Sequence, residues 1–331
     1  MRIAINGFGR IGRAVFKIAL DQNLNVVAIN DVHGVKDAEY LLKFDSIYGR
    51  YEREIRTRGN NLVIGKRVVR VLSERDPSKL PWKSLGVDVV VEATGVFRER
   101  EKCALHLNSG AKYVVLTAPC RNKADITVVL GVNHNKLKPS HKVISVASCT
   151  TNCLVPVVKV LHDKFTIKRA LMTTVHGYTN NQALHDSSHK KPRRGRAAAL
   201  NIVPTTTGAA QSVIEVMPDL LGKITGLAVR VPVPVGSLVD LVAELEKSFT
   251  IEQVNNAFKR ASKTYLKGVL EYSEDELVST DIIGNPHSSI VDGLSTQKEG
   301  NLVKVLAWYD NEFGYSNRVV DVIKIIKGWL K

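Results

Sequence analysis

The run Ser148-Cys149-Thr150-Thr151-Asn152-Cys153 sets a thiol between two hydroxyls, just ahead of Leu154, Val157, Val158 and Leu161 at helical spacing. A cysteine in the first turn of a helix meets free backbone N–H groups and the positive end of the macrodipole, which favour its thiolate. That is the setting of a nucleophile; the bland alternative is a buried inert thiol, the fate expected of Cys103 and Cys120. Cys153, one turn on, is expected to face the helix packing, and Pro156 to bend the helix. His176 closes the apolar run Leu171–Val175 and precedes Gly177-Tyr178-Thr179-Asn180. An imidazole beside Cys149 could accept its proton and later one from a reacting group. Spacing alone does not bring the two together.

Two further sets of residues suit anions. Arg230 interrupts the apolar strand Leu227–Val231, where a buried guanidinium needs an anionic partner. A structural ion pair and a phosphate clamp fit it equally. Thr205-Thr206-Thr207-Gly208 follows a proline and offers hydroxyl and backbone N–H donors. The run Gly7-Phe8-Gly9-Arg10-Ile11-Gly12 fits G-x-G-x-x-G between a strand and a helix. Its glycines allow a tight turn, close approach of a pyrophosphate, and helix-on-strand packing. Asp31, about 20 residues on at the end of the next strand, suits the hydroxyls of an adenosine ribose.

The elements that must position these groups can be read along the chain. Ile3–Ile5, Val26–Ile29, Val87–Val91, Tyr113–Leu116 and Val143–Ser145 are continuous β-branched runs, as buried strands require. Between the first two, Arg13, Lys17 and Asp21 fall on one side of a helix and Val15, Ile18 and Ala19 on another. Alternating strand and helix gives βαβ units and a mostly parallel, Rossmann-type sheet. Tyr51–Arg70 reads as a hairpin excursion of two short strands. Beyond residue 148, longer and partly alternating runs at Arg169–Gly177, Gly226–Val233, Ser237–Leu245 and Val303–Tyr309 imply an antiparallel or mixed sheet with one or two helices. The tail Asn317–Lys331 has helical periodicity. The expected class is α/β: residues 1–148 as a dinucleotide-binding domain completed by a C-terminal helix 315–331, and an α+β catalytic domain over 149–314.

The 331 residues suit two domains. The 44% apolar and 24% charged composition excludes a disordered or fibrous chain. Four cysteines cannot make a disulfide framework, which points to reduced thiols and an intracellular setting. No segment approaches the ~20 apolar residues that span a bilayer, and no signal peptide is expected before Ile3. The formal charge of +15 fits nucleic acid, an acidic surface or small anionic ligands. The basic loop His189–Arg196 lacks the interleaved aromatic residues of a base-stacking platform, so no specific nucleic-acid partner is expected.

With these residues assembled, the chain resembles phosphorylating glyceraldehyde-3-phosphate dehydrogenases, from Ile5-Asn6-Gly7-Phe8-Gly9-Arg10-Ile11-Gly12-Arg13 to Trp308-Tyr309-Asp310-Asn311-Glu312-Phe313-Gly314-Tyr315-Ser316. Ala147–Cys153, Thr173-Thr174-Val175-His176 and Arg193–Ala198 carry the likeness between them. The resemblance implies Cys149 as nucleophile and His176 as its base. It implies Thr179 and Arg230 for the substrate's phosphate, and Ser148, Thr150, Thr207 and Gly208 for inorganic phosphate. Gly7, Gly9, Arg10, Ile11, Gly12, Asp31, Arg75, Thr117 and Asn311 would contact the dinucleotide, with Tyr315 beside the nicotinamide. The implied cofactor is NAD, with NADP as a second possibility. The implied protein is a cytoplasmic homotetramer of glucose metabolism, acting on glyceraldehyde 3-phosphate and inorganic phosphate, with no membrane partner. A related erythrose-4-phosphate dehydrogenase shares the cysteine signature, but Thr179 favours the glyceraldehyde enzyme.

Departures from the family pattern fall on cofactor choice. Val146, Gly177 and Pro234-Val235-Gly236 replace commoner residues without removing a reacting group. Asp186-Ser187-Ser188 stands where strictly NAD-dependent members carry Leu-Pro, and Val32 follows Asp31. Asp31 repels a ribose 2′-phosphate, while small hydroxyl residues leave room for it and can donate to it. At a partly solvated site that repulsion is of order 1–3 kcal/mol, so both cofactors should be used, with NAD preferred. Comparing kcat/KM for the two, Asp31→Ala should move the ratio toward NADP and Ser188→Pro toward NAD; complete rejection of NADP by the wild type would make the serines incidental.

Overall fold

In the computed structural model, which describes residues 1–330, the chain divides into two compact units. The first holds Met1–Val128, His134–Ala147 and the chain from Ser316 on; the second holds Val129–Asn133 and Ser148–Tyr315.

The first unit is built on a nine-stranded sheet. Across it run Ile126–Thr127, Val143–Ser145, Tyr113–Leu116, Val89–Glu92, Ile3–Asn6, Val26–Asn30, Arg67–Leu72, Asn61–Ile64 and Ile55–Arg58. The first seven are parallel to their neighbours and the last two antiparallel. Ile3–Asn6 and Val89–Glu92 are buried along their whole length, as the continuous apolar runs require. Chain order reverses on either side of Ile3–Asn6, so a crevice opens at its C-terminal end, where parallel sheets bind ligands. The helices are α1 (Arg10–Asp21), α2 (Gly34–Lys43) and α3 (Arg100–Asn108).

Two expectations change here. The hairpin expected within Tyr51–Arg70 is present, Ile55–Arg58 pairing antiparallel with Asn61–Ile64, but it is no excursion: it extends the main sheet through a third strand, Arg67–Leu72, which pairs in parallel with Val26–Asn30. Arg13, placed by periodicity on the polar side of α1, is buried and donates to the Phe8 carbonyl at 2.9 Å. A backbone acceptor inside the turn outweighs the helix's own amphipathic pattern.

The second unit is a seven-stranded mixed sheet in the order Val203–Thr206, Ile224–Val231, Ile167–Gly177, Ser237–Leu245, Leu302–Tyr309, Ser289–Glu299 and Leu270–Ser273. Ser237–Leu245 alternates strictly between buried and partly exposed residues, the pattern of a sheet covered on one face. The covering helices are α4 (Cys149–Phe165), α5 (Ala209–Val216) and α6 (Ile251–Lys263). Pro156 lies inside α4, which continues through it as one helix. The opposite face leaves Leu171, Leu227 and Leu302 exposed, the first by 64%. Helix α7 (Phe313–Trp329) starts in the second unit and continues into the first; of the expected tail helix, Lys331 lies outside the described residues. No helix among the described residues is long and apolar enough to cross a membrane.

Beneath the crevice of the first unit lies a buried polar cluster. Trp82 Nε1 donates to His106 Nδ1 at 2.9 Å, and His106 Nε2 lies 3.0 Å from Glu92 Oε2. An indole N–H only donates, so Nδ1 accepts and the ring proton sits on Nε2, facing the carboxylate. Glu92 also accepts from Asn6 Nδ2 at 2.6 Å and from the Thr94 amide at 2.9 Å. Asn30 Nδ2 donates to Asn6 Oδ1 at 2.7 Å. The ends of three parallel strands are thereby tied to one another. Glu92 and His106 are both fully buried, so removing one partner strands the other. His106→Leu should therefore cost about 3 kcal/mol or more, whereas Arg56→Ala, which breaks the exposed pair with Glu54, should leave stability nearly unchanged; thermal unfolding of both variants reads the contrast.

Candidate active site

In the first unit the glycine turn follows Ile3–Asn6 directly. Gly7 has φ +91, and a Cβ there would meet the Thr94 amide at 2.6 Å. Only glycine combines that backbone with so close a neighbour. A Cβ on Gly12 would overlap the Gly7 carbonyl, whereas one on Gly9 would meet nothing within 4 Å. Gly9 N-caps α1 without a side-chain cap, leaving a helix N-terminus over open space. These features fit a dinucleotide pyrophosphate.

Asp31 is partly buried. Its Oδ2 accepts from the Phe8 amide at 2.7 Å and its Oδ1 from the His33 amide at 3.1 Å. A carboxylate has roughly four acceptor sites, so capacity remains for ribose hydroxyls. Asp31 thus also braces the glycine turn, a task that its spacing did not reveal. Arg10 pairs with Asp45 at 3.2 Å, and its guanidinium lies over the Tyr48 ring. Ile11 is half-buried and Arg75 exposed. Thr117 is tied through its amide and its hydroxyl to the Glu92 carbonyl, both at 3.0 Å.

In the second unit, Cys149 opens α4. Ala147, two residues earlier, sits at φ +52, a left-handed backbone that costs a non-glycine residue roughly 1–2 kcal/mol and turns the chain sharply into the helix. Ser148 is the N-cap: its hydroxyl accepts from the Thr151 amide at 3.1 Å and pairs with Thr151 Oγ1 at 2.7 Å. Thr150 is buried, its hydroxyl 2.9 Å from that of Tyr309. Cys153 is buried and reaches the Ala307 carbonyl at 3.6 Å, facing the neighbouring strand.

The fold brings His176 to Cys149: Nε2 lies 3.4 Å from Sγ. Arg230 arrives beside the imidazole because the strands Ile167–Gly177 and Ile224–Val231 run parallel with His176 opposite Arg230. Its Nη1 is 2.7 Å from Nδ1 and donates to the Gly177 carbonyl at 2.8 Å. Among the described residues no carboxylate pairs with this guanidinium. Tyr309 closes the cluster, its ring edge-on to the imidazole at 5.9 Å and its hydroxyl 2.8 Å from Thr174 Oγ1.

The electrostatics differ from the expectation drawn from the helix start. Burial pushes the Cys149 thiol above its ordinary value; Arg230, the Thr150 hydroxyl and nearby amides pull the other way without prevailing. Burial, and then Arg230, push His176 down to about 3, so the ring is neutral at pH 7.

The remaining anion-site residues lie on neighbouring loops. Thr179 Oγ1 accepts from the Asn181 amide at 3.4 Å. Thr207 Oγ1 accepts from the Ala209 amide at 3.2 Å, and Gly208 N-caps α5 with open space where a Cβ would be. Arg194, from the basic loop, donates to Asn181, Thr205 and the Thr206 carbonyl, organising that segment. Asn311 is buried, its Oδ1 accepting from Ser237 Oγ at 2.8 Å, which leaves its NH₂ group to donate. Tyr315 is buried in α7. Ser187 and Ser188 are exposed on the second unit, while Asp31 belongs to the first.

Residues 1–100 match the domain family described as "Glyceraldehyde 3-phosphate dehydrogenase, NAD binding domain", and residues 148–311 match "Glyceraldehyde 3-phosphate dehydrogenase, C-terminal domain". The chain belongs to the glyceraldehyde 3-phosphate dehydrogenase family. It is 55% identical to "Glyceraldehyde-3-phosphate dehydrogenase" of Priestia megaterium and 54% identical to that of Geobacillus stearothermophilus, in each case over 98% of both chains. Against "Glyceraldehyde-3-phosphate dehydrogenase 2" of Bacillus subtilis it is 52% identical, over the whole of this chain and 98% of the relative. Membership makes the chain an oxidoreductase with NAD as cofactor.

Sequence reasoning passed over Tyr309, Ser237 and Arg194. Tyr309 ends an apolar alternation and reads as core, and Ser237 begins a strand without any motif. Only tertiary contacts give these residues their partners. Replacing the imidazole tests the central pair: His176→Asn should move alkylation of Cys149 to higher pH, because the thiolate loses the ring nitrogen that faces it at 3.4 Å. An unmoved pH profile would uncouple the two residues.

Proposed function

We propose that this protein catalyses the phosphorylating oxidation of glyceraldehyde 3-phosphate to 1,3-bisphosphoglycerate, with Cys149 as nucleophile and His176 as general base. The contact of Cys149 Sγ with His176 Nε2 at 3.4 Å, beside a guanidinium without a carboxylate partner, carries this reading. Cys149 passes its thiol proton to His176 Nε2 and its sulfur attacks the aldehyde carbon; the C=O π electrons move to oxygen, which takes that proton back from the ring, and a thiohemiacetal forms. The Cys149 backbone N–H at the start of α4 and the His176 ring face the developing oxyanion. His176 Nε2 then receives the hydroxyl proton as the carbon is oxidised to a thioester. NAD, when bound, supplies the hydride acceptor. Inorganic phosphate displaces the Cys149 thiolate from the thioester, giving the acyl phosphate and restoring the sulfur.

Arg230 and Thr179 hold the substrate's phosphate, and Ser148, Thr150, Thr207 and Gly208 the inorganic phosphate. Gly7, Gly9, Arg10, Ile11, Gly12, Asp31, Arg75, Thr117, Asn311 and Tyr315 hold the cofactor. The open position over Gly9 supports that assignment. A homotetramer is supported by the uncovered sheet face of the second unit. There Leu171, Leu227 and Leu302 stand exposed, an apolar surface suited to burial against another copy. The cytoplasm is the compartment consistent with free cysteines, and the excess positive charge with phosphorylated ligands.

Glyceraldehyde 3-phosphate should drive sustained reduction of NAD only when inorganic phosphate is present. Cys149→Ser should lose ~10³-fold or more of this activity while binding the dinucleotide nearly as well, because a hydroxyl is a far weaker nucleophile. More than about a tenth of the wild-type rate in the serine variant would remove Cys149 from the role of nucleophile.

A further inference from the structure

Two thiols that the reaction does not use meet in the first unit. Cys103 lies in α3, fully buried, its Sγ 3.3 Å from the Phe97 carbonyl. Cys120 lies on the loop after the strand Tyr113–Leu116 and packs against the apolar cluster of Cys103, Val114, Leu116 and Val143. Both were expected to be buried and inert, but Cys120 is partly exposed. The two are close enough that Cys120 acts on Cys103 more strongly than does Glu101, a neighbour on the same helix.

Hydrogen bonds join the segments that carry them. The Arg121 amide donates to the Arg98 carbonyl at 2.7 Å, and the Arg98 guanidinium to the Pro119 carbonyl at 3.0 Å. Asn122 Oδ1 accepts from the Arg100 amide at 2.9 Å and from Cys120 Sγ at 3.1 Å. Arg98, Arg100 and Arg121 thus flank Cys120, and Arg100 interacts directly with its charge. The carboxylates of this segment are engaged elsewhere, Glu99 by Lys102 and Arg121 and Glu101 by Asn122. Cationic neighbours and access to solvent make a thiol open to oxidation. Burial pushes Cys103 up to about 12, which keeps it a thiol. Cys120 is therefore the sulfur that reacts first, and Cys103 the one that resolves it.

We propose that Cys103 and Cys120 form a reversible disulfide that responds to hydrogen peroxide independently of Cys149 and weakens the cofactor site. The effect on the cofactor rests on the reading in which Thr117 contacts the dinucleotide. As the peroxide O–O bond breaks, the Cys120 sulfur takes one hydroxyl and becomes a sulfenic acid; the other hydroxyl leaves as water with the thiol proton. The Cys103 sulfur then attacks the Cys120 sulfur, the S–O bond breaks, and the departing hydroxide takes the Cys103 proton as a second water. Two thiols are oxidised and one peroxide is reduced. A dithiol reductant reverses the bond by exchange. Bonded sulfurs stand about 2.05 Å apart, and the loop must make that approach, because Cys103 is fixed within a helix. On the same loop Thr117 is held to the Glu92 carbonyl through its amide and hydroxyl, both at 3.0 Å, and Ser145 Oγ holds the Ala118 carbonyl at 2.8 Å. A covalent tie at Cys120 works against these bonds and draws Thr117 from the rim of the crevice.

The Cys149→Ser enzyme keeps the nucleophile from consuming peroxide. Trypsin cuts after Lys102, Lys112 and Arg121, which puts the two cysteines in separate peptides, 103–112 and 113–121. After brief peroxide treatment these peptides should appear linked in non-reducing mass spectrometry and separate with dithiothreitol. NAD binding to the same sample, read by calorimetry, should weaken by about threefold or more and recover on reduction. Cys120→Ala in this background should give no linked pair and lose the NAD response. Cys103→Ala should leave on Cys120 a sulfenic acid that dimedone traps. Cys120 untouched or oxidised beyond the sulfenic acid, with Cys103 still free, overturns the disulfide. A linked pair with unchanged NAD affinity overturns its control of the site. Thr117→Ala separates the two layers: if the reduced variant binds NAD as tightly as its parent, the reading of Thr117 as a cofactor contact falls, whereas the linked pair reports on the cysteines alone.

Discussion

The hydrogen-bonding capacity of one imidazole constrains the whole second unit. His176 is buried, so each ring nitrogen must find its partner within the protein. Nε2 finds the sulfur of Cys149, and Nδ1 finds a carbonyl and a guanidinium. Each contact fixes an element. Cys149 requires α4 to begin beside the end of the strand Ile167–Gly177, and Arg230 requires that strand to run parallel with Ile224–Val231 in one register. Displacing Arg230 by one residue along its strand would turn its side chain to the other face of the sheet. The parallel pairing of these strands, unusual in a mostly antiparallel sheet, is what sets guanidinium and imidazole side by side.

Burial acts on this cluster in two directions. It raises the thiol and depresses the imidazole, so the neutral forms of both groups are favoured at rest. It also makes a guanidinium without a counter-ion costly, since a partly buried charge loses hydration that the Gly177 carbonyl and the His176 ring replace only in part. A site in this condition gains most from an anion, and glyceraldehyde 3-phosphate is an anion. The same low polarity that suppresses the resting thiolate strengthens every interaction made once substrate is present.

The first unit meets a related demand by different means. Its parallel strands end in polar residues, Asn6, Asn30 and Glu92, that would be stranded in an apolar sheet without one another. The cluster running from Trp82 through His106 to Glu92 and on to Asn6 and Asn30 satisfies them together. Those ends carry Gly7, Asp31 and Thr94, so the cluster holds the rim of the crevice in place. Asp31, through the Phe8 and His33 amides, joins the turn after one strand to the turn after the next.

What the amino-acid sequence determined by itself was local in origin. β-branched runs specify buried strands because side chains on both faces must be apolar. The glycine turn is legible because only glycine tolerates the backbone of Gly7 and the close approach at Gly12. The start of α4 is legible because Ser148 supplies the cap and the apolar residues that follow keep a helical period. The tertiary structure decided everything that depends on pairing between distant segments. Cys149 and His176 lie 27 positions apart in the chain, and no periodicity encodes the strand register that closes that gap. The three-strand extension over Ile55–Leu72, the burial of Arg13 and the raised Cys149 thiol all went against local expectation. In each case a long-range partner or the density of surrounding protein outweighed a local preference. Polar residues such as Tyr309, Ser237 and Glu92 acquire meaning only through partners far away in the chain, which is why their types alone said nothing.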